Sequence, residues 1–420
     1  MNTITAFDTI KYLMSHTNLF NLAILACPGG EVFADQIIRH LSKGYTRTFE
    51  AVISDLSTRY AMQPEEVRKW IAFANESMSL VPHICSGCPH PHFKVPSKFS
   101  LFANGEIKAD IQDSVRGKDL YIVQDVENHY PVNIDSEISK PVLSINDHIM
   151  TLFVTIDAAK QAGAGRVSLV LPIYPYSRQH KKKGREGITA SRLGKILESL
   201  GVDRIITLDI HSREIGNSFN HMILENLHAS YQIIRQLSQI SGVLDDDFVV
   251  VSPDTGAVDR NKFYATTLKK PLALLYKERD YSRVSHNAND NNIAEIKLLG
   301  DVRGKTVFMA DDMLGTGGTL LKAMEFLHEQ GAKRVIAAIS LPLFSGNAIS
   351  FFDEAFKNGL FYRIIGTNAI YHEEVLKREW YLNVNITGLF AQIISRVHQN
   401  LSLSHLLDAR EIIGKLLEKK

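Results

Sequence analysis

The sequence predicts an α/β fold of two domains, each a mainly parallel sheet flanked by helices. Three observations carry this. Short apolar runs alternate with amphipathic helical patterns along most of the 420 residues. Polar and charged residues collect at the C-terminal ends of the apolar runs, the edge where open parallel sheets hold ligands. The alternation also occurs twice, before and after about residue 231, in a chain long enough for two to three domains. The expected division is 1–231, 232–400 and a C-terminal tail, 401–420.

Residues 1–20 show helical apolar spacing but no identifiable chemistry. Residues 21–26 read as a first strand, Cys27-Pro28-Gly29-Gly30 as a turn, and 31–41 as a helix with Val32, Ile37, Ile38 and Leu41 on it. The pattern then turns polar, with a helix start at Gln63-Pro64-Glu65-Glu66, so about 42–95 reads as an insertion. It contains Cys85, Cys88, His90 and His92, spaced C-x2-C-x-H-x-H. These are zinc-type ligands, but the spacing is not that of a familiar finger, and a proline-stiffened surface loop is the favoured reading over a metal site.

Asn104-Gly105 signals a hairpin, followed by strands at 106–111 and 120–123. Residues 146–161 read as a helix and 166–172 as a strand. The run 174–187 follows, with Arg178, His180, Lys181, Lys182, Lys183 and Arg185 crowded together. A basic run is usually a solvated loop, but one set between a strand and the helix at 189–200 is placed to meet polyphosphate. Strands at 202–211 and 248–254 end in Asp209, His211 and Asp254, with a helix at 230–241 between them. A strand at 272–277 ends in Lys277-Glu278-Arg279, and 280–292 is a polar loop.

Residues 306–340 carry the densest signal. An apolar run ends in Asp311-Asp312, the loop Gly315-Thr316-Gly317-Gly318-Thr319 follows, then an amphipathic helix, a stop at Gly331 and a second apolar run. That is strand, phosphate loop, helix, strand, with free N–H groups and a positive dipole end offered to an anion. The two carboxylates can accept hydrogen bonds from sugar hydroxyls or hold a metal through water. A phosphorylated sugar is the expected ligand. Late strands at 361–368 and 380–384 and late helices at 388–399 and 406–417 complete the chain.

Composition narrows the class. With 45% hydrophobic and 22% charged residues the chain is an ordinary globular protein. A net charge of +1 gives no global field for nucleic acid or membrane, so neither is an expected partner. The three cysteines, Cys27, Cys85 and Cys88, suit a reducing compartment better than a disulfide framework. There is no leader pattern and no apolar stretch long enough to span a bilayer, so a cytoplasmic location is expected.

Taken singly, these residues have bland readings. Phe102 would be core, His211 a buried hydrogen-bonded histidine, Asp311-Asp312 a turn or helix cap, and Lys277 with Arg279 surface charge. Their order in one chain changes the weighing. F-A-N-G-E at 102–106, S-V-R-G-K-D at 114–119, R-V-S-L-V-L-P-I-Y-P-Y-S-R-Q at 166–179 and T-L-D-I-H at 207–211 come first. V-S-P-D-T-G at 251–256, K-E-R at 277–279, the loop at 311–319 and F-S-G-N-A-I-S at 344–350 follow. Together, over about residues 20–405 apart from the insertion, they resemble the ribose-phosphate diphosphokinase (phosphoribosyl pyrophosphate synthetase) family. The loop alone would equally fit a salvage phosphoribosyltransferase.

The resemblance implies two phosphoribosyltransferase-like domains and transfer of the diphosphate of ATP to the 1-hydroxyl of ribose 5-phosphate, with Mg²⁺ as cofactor. It implies that Phe102, Asn104, Gly105, Glu106, Arg178 and Gln179 bind ATP, that His211 and Asp254 face the metal, and that Lys277 and Arg279 steady the transferring group. Ribose 5-phosphate would lie on Arg279, Asp311, Asp312, Gly315, Thr316, Gly317, Gly318 and Thr319. It further implies a homo-oligomer built from dimers, commonly a hexamer, and a regulatory anion site at Ser114, Arg116, Ser402 and Ser404. Two positions depart from the family pattern: Gly315 stands where an acidic residue is usual, and the loop after Arg178-Gln179 carries His180-Lys181-Lys182-Lys183 in place of acidic residues among basic ones. A non-catalytic member that binds nucleotide and a partner subunit is the alternative these departures leave open.

Overall fold

The computed structural model describes residues 21–69, 92–137, 139–182, 184–244, 247–279 and 293–418. Of the zinc-type cluster only His92 is among them, and it is exposed; Cys85, Cys88 and His90 lie outside the described residues. The same holds for the helical pattern at 1–20.

The first part of the chain runs β1 (Leu22–Ala26), α1 (Glu31–Tyr60), β2 (Ser97–Leu101), β3 (Ile107–Ile111), β4 (Asp119–Val123), β5 (Asp135–Ser136) and α2 (Ile145–Gln161). It continues with β6 (Arg166–Val170), α3 (Thr189–Ser199), β7 (Arg204–Leu208), β8 (Ile223–Leu227) and α4 (Ser230–Leu237). Strands β1-β4-β6-β7-β8, in that order, form a wholly parallel sheet, while β3-β2-β5 form a small separate one. Strands β1, β4 and β9 are buried at every position, as expected of strands covered on both faces; β9 (Phe248–Ser252) opens the second sheet.

After β9 come α5 (Val258–Leu268), β10 (Leu272–Arg279), β11 (Ile293–Leu299), β12 (Thr306–Leu314), α6 (Gly318–Glu329) and β13 (Arg334–Pro342). Then come α7 (Ala348–Lys357), β14 (Arg363–Thr367), β15 (Tyr381–Val384), α8 (Thr387–His398), α9 (Ser404–Leu407) and α10 (Arg410–Leu417). The second sheet has the order β11-β10-β9-β12-β13-β14-β15, parallel except for the antiparallel edge strand β11. The α/β class and the two mainly parallel sheets match the expectation.

Two sequence-based helix boundaries, the end of the first helix and the tail helix, need correction. The first helix does not stop at 41 but runs to Tyr60, because Phe49, Val52, Ile53 and Leu56 continue the helical spacing and bury against Val67. Residue 231, the expected division, falls inside α4, whose Ile233, Ile234 and Leu237 enter a core shared with the second sheet. The tail helix expected at 406–417 is two helices, α9 and α10, broken at Asp408.

That shared core explains how the halves are joined. It takes in Leu22 and Ile24 of β1, Phe33 and Ile37 of α1, Phe248 and Phe308 of the second sheet, Phe390 and Ile394 of α8, and Ile413 of α10. Phe33 and Phe390 meet edge to face with centroids 5.2 Å apart. At the N-terminal end of β4, His398 Nδ1 hydrogen-bonds Asp119 Oδ2 at 2.7 Å, while Arg166 Nε donates to Asp119 Oδ1 at 2.8 Å. The segments carrying Arg116 and Ser402 with Ser404 therefore converge at that end of the first sheet. There Ser402 Oγ and Ser404 Oγ are 3.1 Å apart.

Candidate active site

Most of the candidate side chains come from the opposite, C-terminal edge of both sheets. Past β7 the chain turns sharply: Asp209 has φ of +39°, a left-handed value rare for a residue with a side chain. This turn presents His211. Its Nδ1 lies 2.6 Å from Asp312 Oδ2 near the end of β12, so the bond crosses from one sheet to the other. An ionised carboxylate only accepts, so Nδ1 donates, and in the neutral ring Nε2 keeps a free lone pair.

Asp311 and Asp312 are neighbours under opposite influences. Burial, the adjacent Asp312 and Asp254, which follows the neighbouring strand β9, push the Asp311 carboxyl up. Burial also works against the Asp312 charge, but the His211 hydrogen bond and the nearby Arg260 outweigh it and hold that carboxyl down. Environments that separate two adjacent carboxyls in this way are a mark of working sites. Asn261 fixes the strand just before them: its Oδ1 accepts from Ala310 N and its Nδ2 donates to Ala310 O, both at 2.8 Å.

Beneath the pair lies a buried network that sequence reasoning did not assign. Asp209 Oδ1 accepts from His228 Nδ1 at 2.7 Å and pairs with Arg260 Nη1 at 3.2 Å, while Oδ2 accepts from Ser340 Oγ at 2.5 Å. Arg213 Nη2 donates to His228 Nε2 at 3.1 Å, which sets the histidine as the neutral Nδ1–H tautomer. Burial opposes the Asp209 charge, but Arg260 and His228 prevail and keep the carboxyl well below the usual range. The position of Asp209, two residues before His211, was the available signal; its partners at 228, 260 and 340 are too far along the chain to be paired by pattern.

The loop after β12 has the form of an anion cradle. Gly317 caps α6 with φ of +79°, and no side chain caps the helix, so its first-turn N–H groups are left to a ligand. A Cβ on Gly317 would lie under 3.0 Å from Phe352 Cε2, so only glycine fits between the loop and α7. Thr316 and Thr319 are exposed on the open side. From the first half, Arg178 lays its guanidinium against Gly315: a Cβ there would meet Nη1 at 3.4 Å and Nη2 at 3.5 Å. The vacancy left by the missing acidic side chain is thus faced by an arginine. Gln179 is held by its backbone N–H to Tyr176 O at 2.8 Å.

Asp254 is half-buried, and its Oδ1 accepts from Ala257 N at 3.0 Å at the start of α5. Backbone pairing sets Lys277 opposite Ile296 and Arg279 opposite Ile293; their side chains lie outside the described residues. The 102–106 hairpin stands apart. Phe102 is 50% exposed rather than core, Gly105 has φ of +89°, and Glu106 N donates to Asn104 Oδ1 at 3.1 Å within the turn. Among the described residues no hydrogen bond or ring contact joins this hairpin to residues 311–319.

A strand that ends in two carboxylates and feeds a loop of bare backbone N–H groups is the phosphoribosyltransferase arrangement, and here a second α/β half stands against it. Residues 70–201 match the N-terminal domain of ribose phosphate pyrophosphokinase, and residues 221–350 match the phosphoribosyl transferase domain. The ribose-phosphate pyrophosphokinase of Staphylococcus saprophyticus is 34% identical over 309 residues, 73% of this chain and 87% of that protein. That of Thermosipho africanus is 36% identical over 305 residues, 72% of this chain and 86% of that protein. The crystal structure of phosphoribosylpyrophosphate synthetase from Mycobacterium smegmatis superposes with a TM-score of 0.65 at 27% identity, covering 90% of this chain and 99% of that one. The chain belongs to the ribose-phosphate pyrophosphokinase family, a family of enzymes. No helix among the described residues is long and apolar enough to cross a membrane.

Proposed function

We propose that the chain transfers the diphosphate group of ATP to the 1-hydroxyl of ribose 5-phosphate, giving phosphoribosyl pyrophosphate and AMP, in the cytoplasm and as a dimer-based homo-oligomer. The observation that carries this is the meeting of the two halves at one edge, where His211 bonds Asp312 and Arg178 lies against Gly315. An anion cradle with a carboxylate pair lies on one side, and a basic loop led by Arg178 reaches it from the other.

In this reading the uncapped start of α6 takes the 5-phosphate, and Asp311 with Asp312 accept hydrogen bonds from the ribose hydroxyls. The sugar's 1-hydroxyl oxygen attacks the β-phosphorus of ATP; the bond from that phosphorus to the oxygen bridging it to the α-phosphorus breaks, and AMP leaves with that oxygen. The hydroxyl proton is lost to the surroundings of the cleft. Positioning and charge neutralisation do most of the work in such transfers. Arg178 and Gln179 hold ATP, with Phe102, Asn104 and Glu106 on its adenine, and Lys277 and Arg279 meet the moving diphosphate. Arg116, Ser114, Ser402 and Ser404 form a regulatory anion site.

A divalent ion fits the residues present. His211 has its Nδ1 committed to Asp312 and its Nε2 available, and the Asp254 carboxylate stands at a strand end on the same edge. Among the described residues no three His, Cys, Asp or Glu side chains form a complete cage, which suits an ion that takes its other ligands from phosphate and water. Bound there, Mg²⁺ supplies neutralisation of the polyphosphate charge. The test is AMP release from ATP with and without ribose 5-phosphate. Release that depends on the sugar phosphate is expected; none with both substrates and a divalent ion present would refute the proposal.

A further inference from the structure

His180 directly follows Arg178-Gln179, where the sequence departs from the family's acidic pattern. Its ring meets that of His211 at a centroid separation of 5.1 Å and an interplanar angle of 69°. Its Nδ1 is buried and has no hydrogen-bond partner. A ring nitrogen taken from water without a partner is destabilising, so a plain edge-to-face contact leaves that nitrogen unexplained. A shared ligand explains both facts.

The separation is also right for one. With metal–nitrogen bonds of about 2.1 Å, two imidazoles on one ion have centroids roughly 4.6 Å apart at right angles and roughly 5.3 Å apart at a tetrahedral angle. The observed 5.1 Å lies between. His211 already has the carboxylate partner, Asp312, that orients metal-binding histidines.

Resting on the divalent-ion site proposed above, we infer that His180 is a second imidazole ligand beside His211, and that the pair shifts the site's preference from Mg²⁺ towards a nitrogen-accepting first-row ion such as Co²⁺. Mg²⁺ favours oxygen ligands and keeps its water, whereas imidazole suits the later first-row ions. A carboxylate at 180 would reverse the balance.

The test is Co²⁺ titration of the full chain, followed by calorimetry and by the visible absorption of the ion, with Mg²⁺ as competitor. His180→Ala and His180→Asn are expected to weaken Co²⁺ binding by about tenfold or more, at least what loss of an outer partner costs, and to change the absorption band. His180→Asp is expected to let Mg²⁺ compete at lower concentration. Co²⁺ affinity and spectrum unchanged in folded His180→Asn, or in the alanine variant if only that one folds, would overturn the inference. Sugar-phosphate-dependent AMP release with Mg²⁺ is measured in parallel. Cobalt binding that needs His180 without AMP release leaves the ion site standing and removes the catalytic reading. AMP release with cobalt binding indifferent to His180 does the opposite.

Discussion

Replacing Gly317 with alanine tests the cradle most directly. Two costs add. At φ of +79° a residue with a Cβ loses about 1–2 kcal/mol relative to glycine. The new Cβ also meets the Phe352 ring, with Cζ at 3.2 Å and Cε2 nearer. Phe352 cannot yield easily, because it is fully buried and packed against Phe344, Phe361 and Trp380 at centroid separations of 5.7–5.8 Å. Overpacking of this kind adds about 1–3 kcal/mol. Gly317→Ala should therefore destabilise the fold by about 2–5 kcal/mol, read by urea unfolding with Trp380 as a buried reporter. If part of that strain is relieved by moving the loop, the KM for ribose 5-phosphate should rise, tenfold for each 1.4 kcal/mol or so taken from binding. Gly318→Ala is the internal control: its Cβ would meet nothing within 4 Å, so stability should change by less than about 0.5 kcal/mol. Equal unfolding curves for the two variants, with unchanged KM in Gly317→Ala, would refute the account of the loop.

Asp209→Asn leaves Arg260 and His228 facing a neutral group in a buried network; a loss of about 3–5 kcal/mol is expected, whereas Asp408→Asn in the exposed pair with Arg410 should leave the unfolding curve nearly unchanged. Asp312→Ala removes the acceptor that orients His211 and should weaken divalent-ion binding about 10–100-fold by calorimetry while the protein stays folded. The last prediction concerns pH. Burial raises the Asp125 carboxyl from 3.8 to about 7. Its folded value lies above the unfolded one, so its contribution to stability is complete below about pH 4 and declines as pH rises towards 7. Asp125→Asn, which keeps an oxygen to accept from Glu127 N, should match the parent near pH 4 and exceed it at pH 8 by up to about 4 kcal/mol. Denaturant curves at the two pH values check this, and no relative gain at pH 8 would count against it.

The strand–loop–helix–strand unit at 306–340 was legible because period, glycines and carboxylates all agree locally. So was the edge carrying His211 and Asp254, since apolar runs end where the polar residues begin. The His211–Asp312 bond was not legible, because its partners are 101 residues apart and nothing local ties one to the other. Helix α5 was overlooked because Val258–Leu268 has a weak apolar stripe, its inward face including Asn261. Strand β11 lies beyond a polar stretch and alternates incompletely, as an edge strand can. The length of α1 was hidden because the apolar residues past 41 serve a satellite core with Val67 rather than the main one. The shared use of α4 was not legible either: α4 is amphipathic like any helix, and its sequence does not say that its apolar face joins a core with residues of both sheets.

The interleaved core also sets the order in which the molecule can be completed during synthesis. Strand β1 is made early, yet the core it belongs to is completed by Phe390, Ile394 and Ile413. A ribosome-bound chain that has made only the first sheet still exposes the face of α1 around Phe33 that α8 covers, with Asp119 still awaiting His398. The earliest half is closed by the latest helices, so the nascent chain passes most of its elongation with an open apolar face.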